Sequence, residues 1–177
     1  MSLKVIDKHF VPFLSSDSIQ QRVLELSAQI NQDYHNKKPL FLGILNGSFM
    51  FAADLFRHIH LEASISFIKL ASYKGTTSTG SVITAIGLEE QLQDKDIIIL
   101  EDIIDTGKTM FEFLPTLLER KPKSIRICTL LHKPEALKHP LSIDYIGFSI
   151  PNKFVLGYGL DYDGYGRNLP EIYQLQE

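Results

Sequence analysis

Residues Ile97 to Thr109, reading IIILEDIIDTGKT, constrain the fold of this chain more than any other stretch. Ile97, Ile98, Ile99 and Leu100 follow one another without alternation, as a strand buried on both faces of a parallel sheet requires. That strand stops at two carboxylates, Glu101 and Asp102. A short loop follows, Ile103, Ile104, Asp105, Thr106, Gly107, Lys108 and Thr109, after which Met110, Phe111, Leu114, Leu117 and Leu118 recur at helical spacing. The order is therefore strand, acidic pair, phosphate-sized loop, helix. In open α/β sheets the ligand crevice lies beyond the carboxyl ends of the strands. A loop feeding a helix N-terminus offers free N–H groups and a positive dipole end to an anion.

Gly107, Lys108 and Thr109 look like the end of a P-loop, but GxxxxGK[ST] needs glycine where this chain has Asp102. A Walker site is excluded, and three acids within five positions are more than a plain βα turn needs.

The rest of the chain supplies partners for this unit. Residues 1–15 carry scattered apolar positions around Pro12 and read as a loose β arm. Ile19, Val23, Leu26 and Ile30 predict an amphipathic helix from Ser16 to about His35, with Asp17 and Ser18 as capping candidates. Leu40–Leu45 reads as a buried strand, turned by Asn46-Gly47-Ser48 into a helix over Phe49–His58. Ser64–Leu70 is a further strand, the polar stretch 72–80 a loop, and Ser81–Ile86 a strand. The helix after the organising strand runs to Arg120. Strands follow at Ser124–Leu131 and Ile143–Ile150, with a helical turn over Pro134–Lys138. The expected result is an α/β protein with a mainly parallel central sheet flanked by helices. Beyond Pro151, four glycines and four tyrosines with no helical or strand period suggest a lid rather than a core segment.

With 177 residues and 44% hydrophobic content, the chain can build one sizeable core but not two ordinary domains. A formal charge of −3 gives no basic face for nucleic acid, and no run of roughly 18 apolar residues exists to span a membrane. The first ten residues have no apolar leader region, so the lone Cys128 is expected to be a reduced core thiol in a cytoplasmic protein. Asn46-Gly47-Ser48 matches a glycosylation acceptor in form only.

Two apolar residues, two acids, two apolar residues and DTGKT resemble, position for position, the signature of the type I phosphoribosyltransferases. LNGS at 45–48, SYKGTTSTG at 72–80, LLHKP at 130–134 and KFVLGYGLDYDGYGR at 153–167 narrow the resemblance to the hypoxanthine-guanine branch. Adenine, orotate and uracil relatives build their hoods differently. The resemblance implies one domain over 1–177, with a core of about 36–150 and a small hood formed by about 1–15 and 151–177. It implies purine salvage. The 5-phosphoribosyl group of phosphoribosyl pyrophosphate would pass to hypoxanthine, with guanine as a second base, in an enzyme using Mg²⁺ and assembling as a homodimer or homotetramer.

Residue by residue, the resemblance assigns Glu101 and Asp102 to the metal and ribose hydroxyls, where the plainer reading is a pair of solvated strand-end acids. Asp105 is implied as general base toward a purine ring nitrogen, a role compatible with capping the helix. Asp105, Thr106, Gly107, Lys108 and Thr109 would cradle the 5′-phosphate, although Lys108 alone reads as solvated. Asn46, Gly47 and Arg167 would bind pyrophosphate, the arginine through its forked donors. Lys133 would donate to the base's exocyclic oxygen, a role that only the resemblance gives to a lysine at a strand end; His132 beside it reads as structural. Phe154 would stack on the base, Val155 read its edge through the backbone, and Asp161 lie near the base and reach a metal through water, so that three carboxylates converge. Ser72 and Tyr73 open a loop expected to be mobile without ligand and to close over the reaction centre.

One departure stands out. The family usually has lysine where this chain has Asn46, in a loop that often carries a non-proline cis peptide. An attenuator with the same fold that binds RNA would need a basic face, and a xanthine-guanine enzyme is the alternative within catalysis.

Overall fold

The computed structural model describes residues 2–74 and 81–176, the side chains of 71–74 and 81–86 excepted. Its elements in chain order are β1 (Leu3–Val5), β2 (Lys8–Leu14), α1 (Ser16–Asp33), β3 (Leu40–Leu45), α2 (Phe49–Phe56), β4 (Ser64–Lys74), β5 (Ser81–Ile86), β6 (Asp96–Ile104), α3 (Lys108–Leu118), β7 (Ser124–His132), a 3₁₀ turn (Pro134–Ala136), β8 (Tyr145–Ser149), β9 (Val155–Leu156) and β10 (Ile172–Leu175). Six strands form one sheet in the order β5-β4-β3-β6-β7-β8. Five of them run parallel, and β5 closes the edge antiparallel to β4.

The unbroken apolar run of β6 is explained by two separate cores. Ile98 and Leu100 pack with Ile19, Val23, Leu26 and Ile30 of α1 and Phe51 and Leu55 of α2. Ile97 and Ile99 face the other way, toward Met110, Phe113 and Leu117 of α3. Successive strand residues point to opposite faces, so a centrally placed strand covered on both sides needs apolar residues at every position. Burying each such side chain contributes about 1.5–3 kcal/mol. Truncating Phe113 to alanine would cost about 3–5 kcal/mol, the usual range for a buried aromatic.

Several boundaries differ from the sequence expectation, each for a local reason. Ser15 rather than a later residue caps α1, its hydroxyl accepting from the Ser18 N–H at 3.2 Å. β6 does not stop at the acids but continues to Ile104, because β7 is equally long and gives Glu101, Ile103 and Ile104 the partners Thr129, Leu131 and His132. β4 runs on to Lys74, paired with β5 through Ser72↔Ile83, Tyr73↔Val82 and Lys74↔Ser81. Ser72 and Tyr73 therefore belong to a strand and not to a loop, and 75–80 lie outside the described residues.

The C-terminal stretch joins the N-terminal arm as the expected hood, and the correction is that it forms strands and contributes side chains to the core. β9 and β10 join the N-terminal arm in a second, antiparallel sheet ordered β1-β2-β10-β9. Val155, Tyr158, Leu160 and Ile172 are buried in the same cluster as α1 and α2, and Leu156 is fully buried as well. Strands of two and four residues are too short to show a period, so core residues here read as lid. Cys128 is free and fully buried, and burial pushes its thiol up, out of the reactive range.

Candidate active site

The carboxyl ends of β3, β6 and β7 converge where the second sheet leans over the first. Glu101 is buried, and burial first, then the Asp102 charge beside it, push its carboxyl well above the ordinary value. Burial raises Asp102 as well, although its Oδ1 accepts the Ile103 N–H at 2.9 Å and the Arg167 charge pulls the other way. Two acids at the end of one strand thus sit together in a setting that disfavours their negative charge.

The loop after β6 forms a small concavity lined by Glu101, Ile103, Ile104 and every residue from Asp105 to Met110. Its shape comes from Gly107, whose φ of +77° starts α3 in the left-handed region. A Cβ there would meet Leu137 Cδ1 at 2.8 Å. The Thr106 carbonyl accepts the Lys138 and His139 N–H groups, which braces the loop from behind. The Thr106 hydroxyl takes the Lys108 N–H at 3.3 Å. Lys108 itself is exposed, 3.8 Å from Glu112 one helical turn on. Thr109 is exposed at the rim.

A second cavity, of about 230 Å³, adjoins it and is lined by Asp102, Ile103, Asp105, Lys133, Phe154, Val155, Leu160 and Asp161. Lys133 follows β7, its N–H bonded to the Ile104 carbonyl at 3.0 Å, which pins it beside β6. Its side chain is buried and its Nζ donates to Asp105 Oδ2 at 3.1 Å. Phe154 opposite is 43% exposed, unusual for an aromatic in so packed a region. Its ring is held on the far side by Phe10 at 6.2 Å and Tyr162 at 5.9 Å. Val155 is fixed by pairing with Gln174 of β10.

On the third side lies the turn after β3. The Leu45–Asn46 peptide, at the start of this turn, is cis. Asn46 is exposed and Gly47 buried. A Cβ on Gly47 would sit 1.7 Å from Asp102 Oδ2, so only glycine lets this turn approach the acid pair. From the C-terminal segment Arg167 donates to the Gly159 carbonyl at 2.7 Å and pairs with Asp161 at 2.8 Å. Asp161 also accepts the Gly164 N–H. Glu101 and Asp102 stand together on β6, and Asp161 shares the second cavity with Asp102. Among the described residues no three acidic or imidazole groups meet to hold a metal ion. The Asp161 carboxylate is held there by Arg167 and the Gly164 N–H. Sequence reading passed over Leu160 as a cavity wall and Phe10 as the support of Phe154. Leu160 lies outside any strand, and β2 fully buries only Phe10 among its seven residues, so neither follows a period.

The chain matches the model of the phosphoribosyl transferase domain over residues 14–163. It is 44% identical over 169 residues to the hypoxanthine phosphoribosyltransferase of Buchnera aphidicola subsp. Schizaphis graminum, covering 93% of this chain and 96% of that one. To the hypoxanthine-guanine phosphoribosyltransferase of Bacillus subtilis it is 41% identical over 160 residues, covering 90% and 89%. Among solved structures, a hypoxanthine phosphoribosyltransferase from Staphylococcus aureus superposes with a TM-score of 0.87 at 40% identity, covering 93% of this chain and 90% of that one. A hypoxanthine-guanine phosphoribosyltransferase from Bacillus anthracis gives 0.86 at 37%, covering 94% and 97%.

Proposed function

The chain belongs to the hypoxanthine-guanine phosphoribosyltransferase family, and on that premise we propose how its own residues carry out purine salvage. A purine ring nitrogen attacks C1 of phosphoribosyl pyrophosphate, the N–C1 bond forms, the bond from C1 to the pyrophosphate oxygen breaks, and the nitrogen's proton leaves. The observation that carries this reading is the buried Lys133 ammonium beside Asp105, in a cavity walled by Phe154 and Val155. An ammonium only donates and a carboxylate only accepts. Together they match the exocyclic oxygen of a 6-oxopurine and the proton on its ring, while the exposed face of Phe154 offers a stacking surface. Asp105 is the base that takes that proton.

Residues 105–109 hold the 5′-phosphate through the loop N–H groups at the start of α3. Asn46, Gly47 and Arg167 hold pyrophosphate, and Asp161 keeps Arg167 in place from the side of the base. Glu101 and Asp102 fit magnesium, which commonly takes one or two carboxylates and completes its shell with water and substrate phosphates. Their charges are disfavoured where they stand, so a cation and the ribose hydroxyls would compensate them. When bound, magnesium would neutralise charge developing on the departing pyrophosphate. Asn46 in place of lysine removes one charge from that half of the site. Backbone binding is left intact.

Among the described residues no helix is long and apolar enough to cross a membrane. A cytoplasmic setting is proposed from the free, buried Cys128. Assembly as a homodimer or homotetramer is proposed from apolar side chains left exposed, among them Phe49, Phe111 and Leu118. Incubation with labelled phosphoribosyl pyrophosphate, magnesium and each free base in turn tests the function. Labelled nucleotide is expected from hypoxanthine and guanine. Nucleotide from no base, or from adenine equally, would overturn the reading, and a preference for xanthine over hypoxanthine would move the chain to the xanthine-guanine enzymes.

A further inference from the structure

Tyr158 is a buried residue with φ of +48°, in the left-handed region that bulky side chains rarely adopt. Such a conformation persists only where the surroundings over-determine it. Here they do so through the side chain. The Tyr158 hydroxyl donates to Asp54 Oδ2 of α2 at 2.6 Å, and the same oxygen accepts Gln20 Nε2 of α1 at 2.8 Å. Its N–H donates to the Leu169 carbonyl at 2.8 Å. Two helices and the C-terminal segment therefore meet at one carboxylate oxygen.

The next residue shows what this anchorage controls. Gly159, at φ of +98°, comes so close to the Gly47 carbonyl that a Cβ would lie 2.1 Å from it. Gly159 also exchanges two hydrogen bonds with Arg167, its N–H reaching the Arg167 carbonyl at 3.0 Å and its carbonyl accepting Arg167 Nη1 at 2.7 Å. Gly47 in turn packs on Asp102. The backbone at 159 is thus wedged between the two groups assigned above to pyrophosphate, Gly47 and Arg167. The Phe154 and Val155 side of the base cavity is supported elsewhere, by the β9–β10 pairing at Val155 and by the rings of Phe10 and Tyr162 behind Phe154.

We propose that the hydrogen bond from Tyr158 to Asp54 is a positioning latch for the pyrophosphate half of the site. It fixes Gly159, hence the spacing of Gly47 and Arg167, and so sets affinity for phosphoribosyl pyrophosphate without affecting the purine. Tyr158 and Asp54 touch no substrate. They act through Gly159, and the inference rests on the pyrophosphate assignment above.

Tyr158→Phe keeps the ring and removes the hydroxyl. It should raise KM for phosphoribosyl pyrophosphate on the order of tenfold, as loss of a hydrogen bond to a charged acceptor can, while KM for hypoxanthine stays within about twofold. Asp54→Ala should do the same, and the double variant should be no worse than Asp54→Ala, since both remove one interaction. Asp54→Asn keeps an acceptor oxygen and should retain most of the affinity. Calorimetric titration with inorganic pyrophosphate and magnesium gives a second readout that needs no turnover. Equal shifts of both KM values, losses that multiply in the double variant, or a lower Tm with both KM values unchanged would overturn the latch. The unsubstituted protein is assayed first. If it forms no nucleotide the functional reading fails, whereas an active protein indifferent to Tyr158→Phe removes the latch alone.

Discussion

Lys133 Nζ lies 3.1 Å from Asp105 Oδ2, yet the two side chains differ in access to water, 8% exposed for the lysine and 46% for the aspartate. The pair is therefore asymmetric. Asp105 can be resolvated if Lys133 turns away, whereas Lys133 has little else to offset its charge. On the proposed reading, an incoming base must satisfy both groups at once or leave the buried one short of a partner.

Asp105→Asn follows from this asymmetry. The amide oxygen still accepts from Lys133, so the fold is expected to survive with a loss of about 1 kcal/mol or less. The proton acceptor is gone, and kcat should fall by roughly 10² to 10⁴-fold. Single-turnover measurement checks it, and an unchanged chemical step removes Asp105 from the role.

Base choice follows from Lys133. Three donors and no acceptor suit an exocyclic oxygen and oppose the amino group of adenine. Rejection of a ligand that leaves a polar group unpaired can reach about 10⁴. We expect kcat/KM for hypoxanthine and guanine to exceed that for adenine by at least roughly 10³. Lys133→Ala should shrink the ratio chiefly by harming the oxopurines, and competition assays with paired bases measure this directly.

The acid pair makes a prediction about pH. Both carboxyls are raised in the folded protein, so in the window between their ordinary and folded pKa values the folded state holds more protons than the unfolded one. Stability of the metal-free protein should therefore be fullest below about pH 4 as far as these groups are concerned, and should decline as pH rises through their folded values. Glu101→Gln should flatten that decline and raise Tm near neutrality while reducing turnover. Magnesium should raise Tm of the unsubstituted protein more at high pH than at low, and excess chelator should abolish turnover. Thermal melts across pH, with and without magnesium, decide the matter. A Tm that rises with pH in both proteins would contradict the assignment.

Gly47→Ala is expected to damage the pyrophosphate half and the fold together. Its methyl would fall 1.7 Å from Asp102 Oδ2, so either the turn or the aspartate must move. Overpacking of this kind costs about 1–3 kcal/mol. A lower Tm with a raised KM for phosphoribosyl pyrophosphate is the expected outcome. Unchanged values of both would mean that the turn has room to spare.

Asn46→Lys tests the departure from the family. The residue is exposed, so an added charge would be partly solvated and should tighten pyrophosphate by about 1 kcal/mol or less. Titration with pyrophosphate reads it, and weaker binding would show that this side chain points away from the site.

The central sheet was legible because its signal is local and repeated. Ile97 to Leu100 can only be a strand covered twice, and GKT with three acids can only lie at its carboxyl end. The position of the acid pair and of the loop before α3 was readable for the same reason. What the sequence could not show depends on partners distant in the chain. β6 continues past Glu101 because β7 runs alongside it, and the Asp161 carboxylate is held by Arg167 and Gly164. Val155 and Ile172 read as lid residues because strands of two and four residues borrow their stability from β2 and α1. Lys133 is a plain strand-end lysine until Asp105 is found 3.1 Å away.

The order β1-β2-β10-β9 places the last strand of the chain between the first arm and the strand that carries Val155. During synthesis the central sheet and its phosphate loop can be complete while β9 still has nothing to pair with. The wall of the base cavity can close only once residues 172–175 have been made and threaded in beside β2. A ribosome-bound chain halted short of them would hold the loop before α3 in place while the Val155 wall of the second cavity still lacked its partner strand.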